Sequence, residues 1–217
     1  KILDSHPDVA YRHEPDISRP PADIPVFIPD DTNTRVRGEL KRNLRVWADA
    51  RDLRATGTRP VFRKRSAGTL ATSGRRAVVY GLKGLGRFAP QLERHARLPD
   101  ALGGPPATGA RVVIKSVNML GRLGPLLDLP EIARVVLIVR HPCGQVASML
   151  RQIDKEGPGS TLAASALPDS PMGRRRGLTT AELAEMPPVD VLAWKWLAFN
   201  EAALEAVADH DKAIVLA

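Results

Sequence analysis

The segment Val135-Val-Leu-Ile-Val-Arg140-His-Pro142-Cys-Gly-Gln-Val-Ala-Ser148 holds the residue types and the spacing from which chemistry can first be argued. Its aliphatic run reads as a buried strand ending at Arg140. Pro142 falls where a helix begins, since a first-turn position has no use for the missing N–H. Ligands of an open parallel sheet bind beyond the carboxyl ends of its strands, and a guanidinium placed there offers two directed hydrogen bonds to a phosphate. Ser148, in the second helical turn, can add a hydroxyl to the same anion. Taken alone, the pattern fits equally well an Arg paired with a nearby carboxylate and a small buried Ser.

Two further groups stand at strand ends. Val9 to His13 reads as a short extended stretch, because Pro15 disfavours helix at the residue before it, and Glu14 then lies at the strand's carboxyl end. Arg111-Val-Val-Ile-Lys115 is a short apolar run typical of a buried parallel strand, ending on Lys115. A carboxylate at such a place also serves as a helix cap or an ion-pair partner, and a lysine as half of a structural salt bridge. Gly81-Leu-Lys83-Gly84-Leu-Gly86 lacks the Gly-Lys-Ser/Thr ending that cradles a triphosphate and its magnesium, and reads as a turn. His6, His95 and His210 form no metal-binding spacing.

The elements that must position these groups alternate along the chain. After a proline-rich loop from Arg19 to Asp31, the intervals of Val36, Leu40, Leu44, Trp47 and Leu53 predict an amphipathic, basic helix over 35–54 with a solvated charged face. A loop over 57–76, a strand over 77–82, a helix near 89–97 and a Gly/Pro-rich stretch over 103–109 precede the strand 111–115. A helix near 119–127, a turn at Pro130, the strand 134–139 and a helix from Pro142 to about Glu156 follow. The stretch 157–177, with Arg174-Arg175-Arg176, reads as a mobile, solvated surface loop. Thr179-x-x-Glu182 has the form of a capping box. Pro187-Pro188 opens a long helix with Leu192, Trp196, Phe199, Ala203 and Leu204 on one side, and a last strand begins near Lys212. Trp194 and Trp196 read as core or core-edge residues. Alternation of this kind predicts an α/β fold with a parallel sheet flanked by helices.

Composition narrows the partners. The 217 residues are 43% apolar, enough for a sizeable core. Thirty-two Lys and Arg against 24 Asp and Glu give a formal charge of +8, which favours anionic partners without choosing among them. Nine aromatic residues are a thin supply for the stacking platforms of single-stranded nucleic-acid binders. The lone Cys143 excludes an intramolecular disulfide framework and a cysteine-rich zinc site. The longest aliphatic run, Val135 to Val139, is far short of the ~20 residues of a membrane helix.

Arg140, Pro142 and Ser148 in this spacing resemble the second cofactor motif of the sulfotransferases that use 3′-phosphoadenosine 5′-phosphosulfate: a hydrophobic strand ending in Arg-x-Pro, then a Ser eight residues after the Arg. Many members carry Asp where this chain has His141. His6-Pro-Asp-Val-Ala-Tyr-Arg-His-Glu14-Pro15 is similar to the segment after the first cofactor loop of the carbohydrate-type enzymes and their bacterial relatives. Val112-Val-Ile-Lys115-Ser116 through Pro125-Leu-Leu and Arg134-Val-Val-Leu looks like the Leu-Lys-Thr/Ser stretch before Arg-x-Pro. The three segments run in order over about the first two thirds of the chain.

The resemblance implies a three-layer, P-loop-like α/β fold and sulfuryl transfer from that nucleotide to a hydroxyl, with carbohydrate the favoured acceptor. It implies Arg140 and Ser148 on the cofactor's 3′-phosphate, Glu14 as general base, and Lys115 near the transferring oxygens, with no metal and no nucleic-acid partner. His13 is the runner-up base; strand alternation turns it away from Glu14 if the strand persists that far. The family's first cofactor loop is expected before Lys1, so the chain reads as one truncated domain, incomplete at both ends, poorly stable and without turnover of its own. A bacterial cytoplasm suits the lone Cys and the absent leader; a Golgi lumen suits a chain that has lost an anchor. A non-catalytic nucleotide- or polyanion-binding module and a P-loop kinase relative are the alternative readings.

Overall fold

The computed structural model describes residues 2–28, 34–65, 67–86, 88–89, 96–99, 102, 110–156 and 164–217. By their contacts the residues divide into two units, the first Lys1–Ala22 with Lys41–Val117, the second Asp23–Leu40 with Asn118–Ala217. The architecture is mixed α/β with parallel strand pairing.

In the first unit, a short helix α1 (Ile2–Ser5) leads into β1 (Val9–His13), which pairs in parallel with β2 (Arg111–Lys115), Val9 opposite Arg111 and His13 opposite Lys115. Both strands have the bounds that their apolar runs and flanking prolines predict. Arg12 points away from Tyr11 and His13 and is buried, its Nε donating to the Ala48 carbonyl at 2.8 Å. Burial, helped by Arg75 and opposed by Asp49, Asp52 and Asp4, pushes this guanidinium down to about 10. α2 (Pro15–Ser18) follows β1 at once.

The basic helix predicted over 35–54 is shorter. α3 spans Thr34–Ala48, its residues from Lys41 onward lying in the first unit, and the chain then breaks. Asp52 causes the break: it is extended and caps a separate helix, α4 (Leu53–Thr56), by accepting from the Ala55 N–H at 2.9 Å. Trp47 is buried, and its indole N–H donates to the Arg19 carbonyl at 2.9 Å.

The described residues of the predicted loop up to Gly68 are irregular, but its remainder and the predicted strand over 77–82 give way to a 17-residue helix, α5 (Thr69–Leu85). Its Val79 is fully buried in a cluster with Leu53, Val61 and Leu98, against which Val78 and Leu82 also pack. That packing at helical intervals overrides the β preference of Val78, Val79 and Tyr80. Gly81 and Gly84 lie inside the helix and Gly86 at its C-cap, so the glycine stretch is neither the predicted turn nor a phosphate loop. The predicted helix near 89–97 falls largely outside the described residues, and Ala96 to Pro99 are not helical. The Gly/Pro-rich stretch 103–109 lies outside them altogether.

In the second unit a 3-10 turn at Leu120–Arg122 runs into α6 (Leu123–Leu127), and β3 (Val135–Ile138) leads to α7 (Pro142–Glu156). The final strand β4 (Ala213–Leu216) pairs in parallel with β3, Val136 opposite Ile214 and Ile138 opposite Leu216. These four side chains share one face of the pair, and all are exposed: 46%, 66%, 50% and 51% in chain order.

The predicted surface loop 157–177 is partly core. Residues 157–163 lie outside the described residues, but α8 (Pro171–Arg176) carries the three arginines, and Leu167 and Met172 beside them are buried. Buried Ser170 caps α8 by accepting from the Gly173 N–H at 2.8 Å while donating to the Leu167 carbonyl at 2.6 Å. α9 (Thr180–Glu185) opens with the predicted capping box. α10 (Pro188–Val207) buries Leu192, Phe199 and Ala203 as predicted, while Leu204 is exposed. Phe27 and Phe199 meet in the core with ring centroids 4.7 Å apart. Among the described residues no helix is long and apolar enough to cross a membrane.

Candidate functional site

Glu14 and Lys115 meet at the carboxyl end of the parallel pair β1–β2, the side of such a sheet where ligands bind. The Glu14 N–H donates to the Lys115 carbonyl at 2.8 Å, one bond beyond the strand ladder. Immediately after β1 the backbone of Glu14 turns left-handed, φ 47° and ψ 50°, the one non-glycine residue with positive φ among those described. A side-chain-bearing residue held there costs about 1–3 kcal/mol and persists only where its surroundings fix it. The fixing contacts are on both sides: the ladder bond to β2, and Pro15 opening α2.

The turn changes what the Glu14 carboxylate meets. Strand alternation would send His13 and Glu14 to opposite faces, but β1 stops at His13, and the His13 Nε2 lies 3.9 Å from Glu14 Oε2. The Lys115 ammonium donates to Glu14 Oε1, and Arg54 reaches to 3.8 Å from Oε2. The Tyr11 hydroxyl lies 3.3 Å from the His13 Nδ1. The cluster therefore joins a carboxylate, two cations, an imidazole and a phenol. Burial, then Asp4 and Glu14, push the Tyr11 phenol above its ordinary 10.0. Burial is the largest force holding His13 below its ordinary 6.5; Lys115, Arg54 and Lys83 act the same way, and Glu14 opposes them.

The Glu14 side chain is 14% exposed and that of Lys115 41%. A carboxylate so placed can take a proton from a hydroxyl that displaces Lys115, and the ammonium, half open to solvent, can face developing negative charge. Behind them, buried Asp16 accepts from the Ser116 hydroxyl at 2.8 Å, tying the segment after β1 to the one after β2.

Arg140 and Ser148 belong to the second unit, on the predicted strand, turn and helix. β3 ends two residues before Arg140, and Pro142 is the first residue of α7. The turn is pinned by Trp196 of α10, whose indole N–H donates to the Arg140 carbonyl at 2.9 Å. Arg140 and Ser148 are both exposed, so the pattern is not that of a buried Ser. Among the described residues no carboxylate pairs with the Arg140 guanidinium, and no hydrogen bond joins it to Ser148. A guanidinium without a carboxylate beside the N-terminus of a 15-residue helix is a donor set for a phosphate.

Arg54, Tyr11 and Asp16 are the site residues that sequence reasoning missed. Arg54 was assigned to one long helix; only the break at Asp52 and the fold of α4 bring it to Glu14, and nothing local signals that approach. Tyr11 had a local signal, two residues before His13 on the same strand face. No protein-family profile, no curated protein and no solved structure matches the chain.

Proposed function

We propose that the chain belongs to a sulfotransferase that moves a sulfuryl group from 3′-phosphoadenosine 5′-phosphosulfate to a hydroxyl, with carbohydrate the favoured acceptor, on a three-layer α/β fold. The observation that carries the reading is the exposed Arg140, with no carboxylate partner among the described residues, between a parallel strand and the Pro142-initiated helix α7, with Ser148 eight residues on. When bound, the nucleotide supplies the activated sulfuryl group. Arg140 would hold its 3′-phosphate bidentately, with Ser148 adding a hydroxyl. Glu14 would accept the proton of the acceptor hydroxyl, and Lys115, released from Glu14, would face the charge on the transferring oxygens.

A second reading, a nucleotide-binding module without catalysis, is favoured by the pairing of Lys115 and Arg54 with the Glu14 carboxylate. Both readings place the nucleotide on Arg140, and they part on whether sulfate reaches an acceptor.

Calorimetry with adenosine 3′,5′-bisphosphate and adenosine 5′-monophosphate tests the shared step. A charge-assisted bond of about 1.5–3 kcal/mol corresponds to roughly tenfold to hundredfold in affinity. Arg140→Ala is expected to weaken the bisphosphate by that factor and leave the monophosphate nearly unchanged. Equal losses for both ligands would remove Arg140 from the 3′-phosphate.

A further inference from the structure

Charge is divided unevenly along this chain. The first unit carries twenty Lys and Arg against eight Asp and Glu, a formal +12, and the second twelve against sixteen, a formal −4. The whole net excess therefore belongs to the first unit. An excess of that size on one folded body creates a positive potential that concentrates polyanions and weakens as salt screens it.

Within the first unit, Arg59, Arg63, Lys64 and Arg65 put four cations into seven residues of the segment between α4 and α5. Its backbone is tied at several points. The Arg65 N–H donates to the Pro7 carbonyl at 3.0 Å, Val61 is buried in the core cluster, and the Thr58 hydroxyl donates to Asp4 Oδ2 at 2.9 Å. The Lys64 ammonium is bound inward, 3.0 Å from Asp4 Oδ1 and 3.3 Å from the His6 carbonyl.

The three arginines are exposed. Arg65 meets Asp8 at 3.0 Å, yet its side chain stays 74% exposed. Arg59 is exposed and lies over the Tyr80 ring, 5.8 Å from its centroid. Arg63 is exposed, and no carboxylate among the described residues pairs with it. An open cleft of ≈ 430 Å³ is lined by Pro7, Arg63, Lys64 and Arg65.

We propose that this segment docks an acidic polysaccharide, whose sulfate or carboxylate groups are taken by Arg59, Arg63 and Arg65. Guanidinium matches both groups with paired hydrogen bonds, and a backbone already fixed loses little freedom on binding. Single-stranded nucleic acid would call for aromatic faces open to bases beside these arginines, whereas Tyr80 lies under Arg59 and Phe62 is half-buried; duplex DNA needs no such faces and is the competitor in the test below. The choice of polysaccharide rests on the reading of the chain as a sulfotransferase for a carbohydrate hydroxyl; the charge division does not.

Titration of the full chain with heparin, with duplex DNA of similar charge and with adenosine 3′,5′-bisphosphate tests this. Heparin is expected to bind at about 0.1 M salt, more tightly than DNA, and to be released as salt rises. Arg59→Ser with Arg63→Ser should weaken heparin at least about fivefold, and Arg174→Ser with Arg176→Ser on α8 less than about twofold. Arg63→Glu alone, at an exposed position, repeats the test without touching the Tyr80 contact. No heparin binding, equal losses in the two double variants, or an unaltered Arg63→Glu affinity would overturn the proposal, and tighter binding of DNA would replace polysaccharide by nucleic acid. Heparin binding without bisphosphate binding would remove the sulfotransferase reading and leave this surface standing; the reverse would remove the surface alone.

Discussion

His13 and Glu14 show how one backbone angle reorganises a site. With φ at 47°, Glu14 leaves the strand alternation and brings its carboxylate to the imidazole and to two cations. The consequence for stability has a definite direction. Because His13 titrates below its ordinary 6.5 when folded, the unfolded chain takes up a proton that the folded chain resists. The stability contributed by neutral His13 is then fully present above the unfolded value and is lost as pH falls through the lower folded one. The melting temperature is expected to drop as pH falls below the ordinary 6.5 of histidine, and His13→Gln should flatten part of that drop. Identical pH profiles for the two proteins, followed by circular dichroism, would show that His13 takes no part. Glu14 and Lys115 were legible as strand-end residues because proline and short aliphatic runs mark strand ends locally. Their contact was not, since it joins positions about a hundred residues apart through the pairing of β1 with β2.

At the scale of elements, legibility followed the source of each element's stability. β1, β2, β3 and α7 stand where their apolar runs and breakers place them, and the α9 capping box is written in two residues. α5 was missed because its own residues argue against it: three glycines, two adjacent valines and a tyrosine, outweighed only by contact with Leu53, Val61 and Leu98. α8 was missed for the same reason, its arginines masking a buried Met172. The glycines of α5 offer a direct test. A Cβ at Gly81 or Gly84 would meet nothing within 4 Å, and glycine in a helix costs up to about 1 kcal/mol relative to alanine. Gly81→Ala with Gly84→Ala should therefore raise the melting temperature, by roughly 2–4 °C for each kcal/mol gained. A lowered melting temperature would argue that the stretch is a turn or a phosphate-binding loop after all.

On the scale of the whole molecule, the positive excess and the aliphatic face of β3 and β4 fall in different units. The first unit holds the positive excess; the second holds the bare aliphatic face of β3 and β4, made by Val136, Ile138, Ile214 and Leu216. Short β-branched segments of this kind, with few charges and no proline, are the ones that associate between chains when open to solvent. Replacing Ile138 by Thr and Ile214 by Lys is expected to reduce light scattering on storage while changing the melting temperature little; unchanged scattering would acquit the face. The folded state would then be lost from solution by a route that does not pass through unfolding. Shelf life would depend on protein concentration more than on temperature, and sulfate salts, which strengthen apolar association, would shorten it well below the melting point.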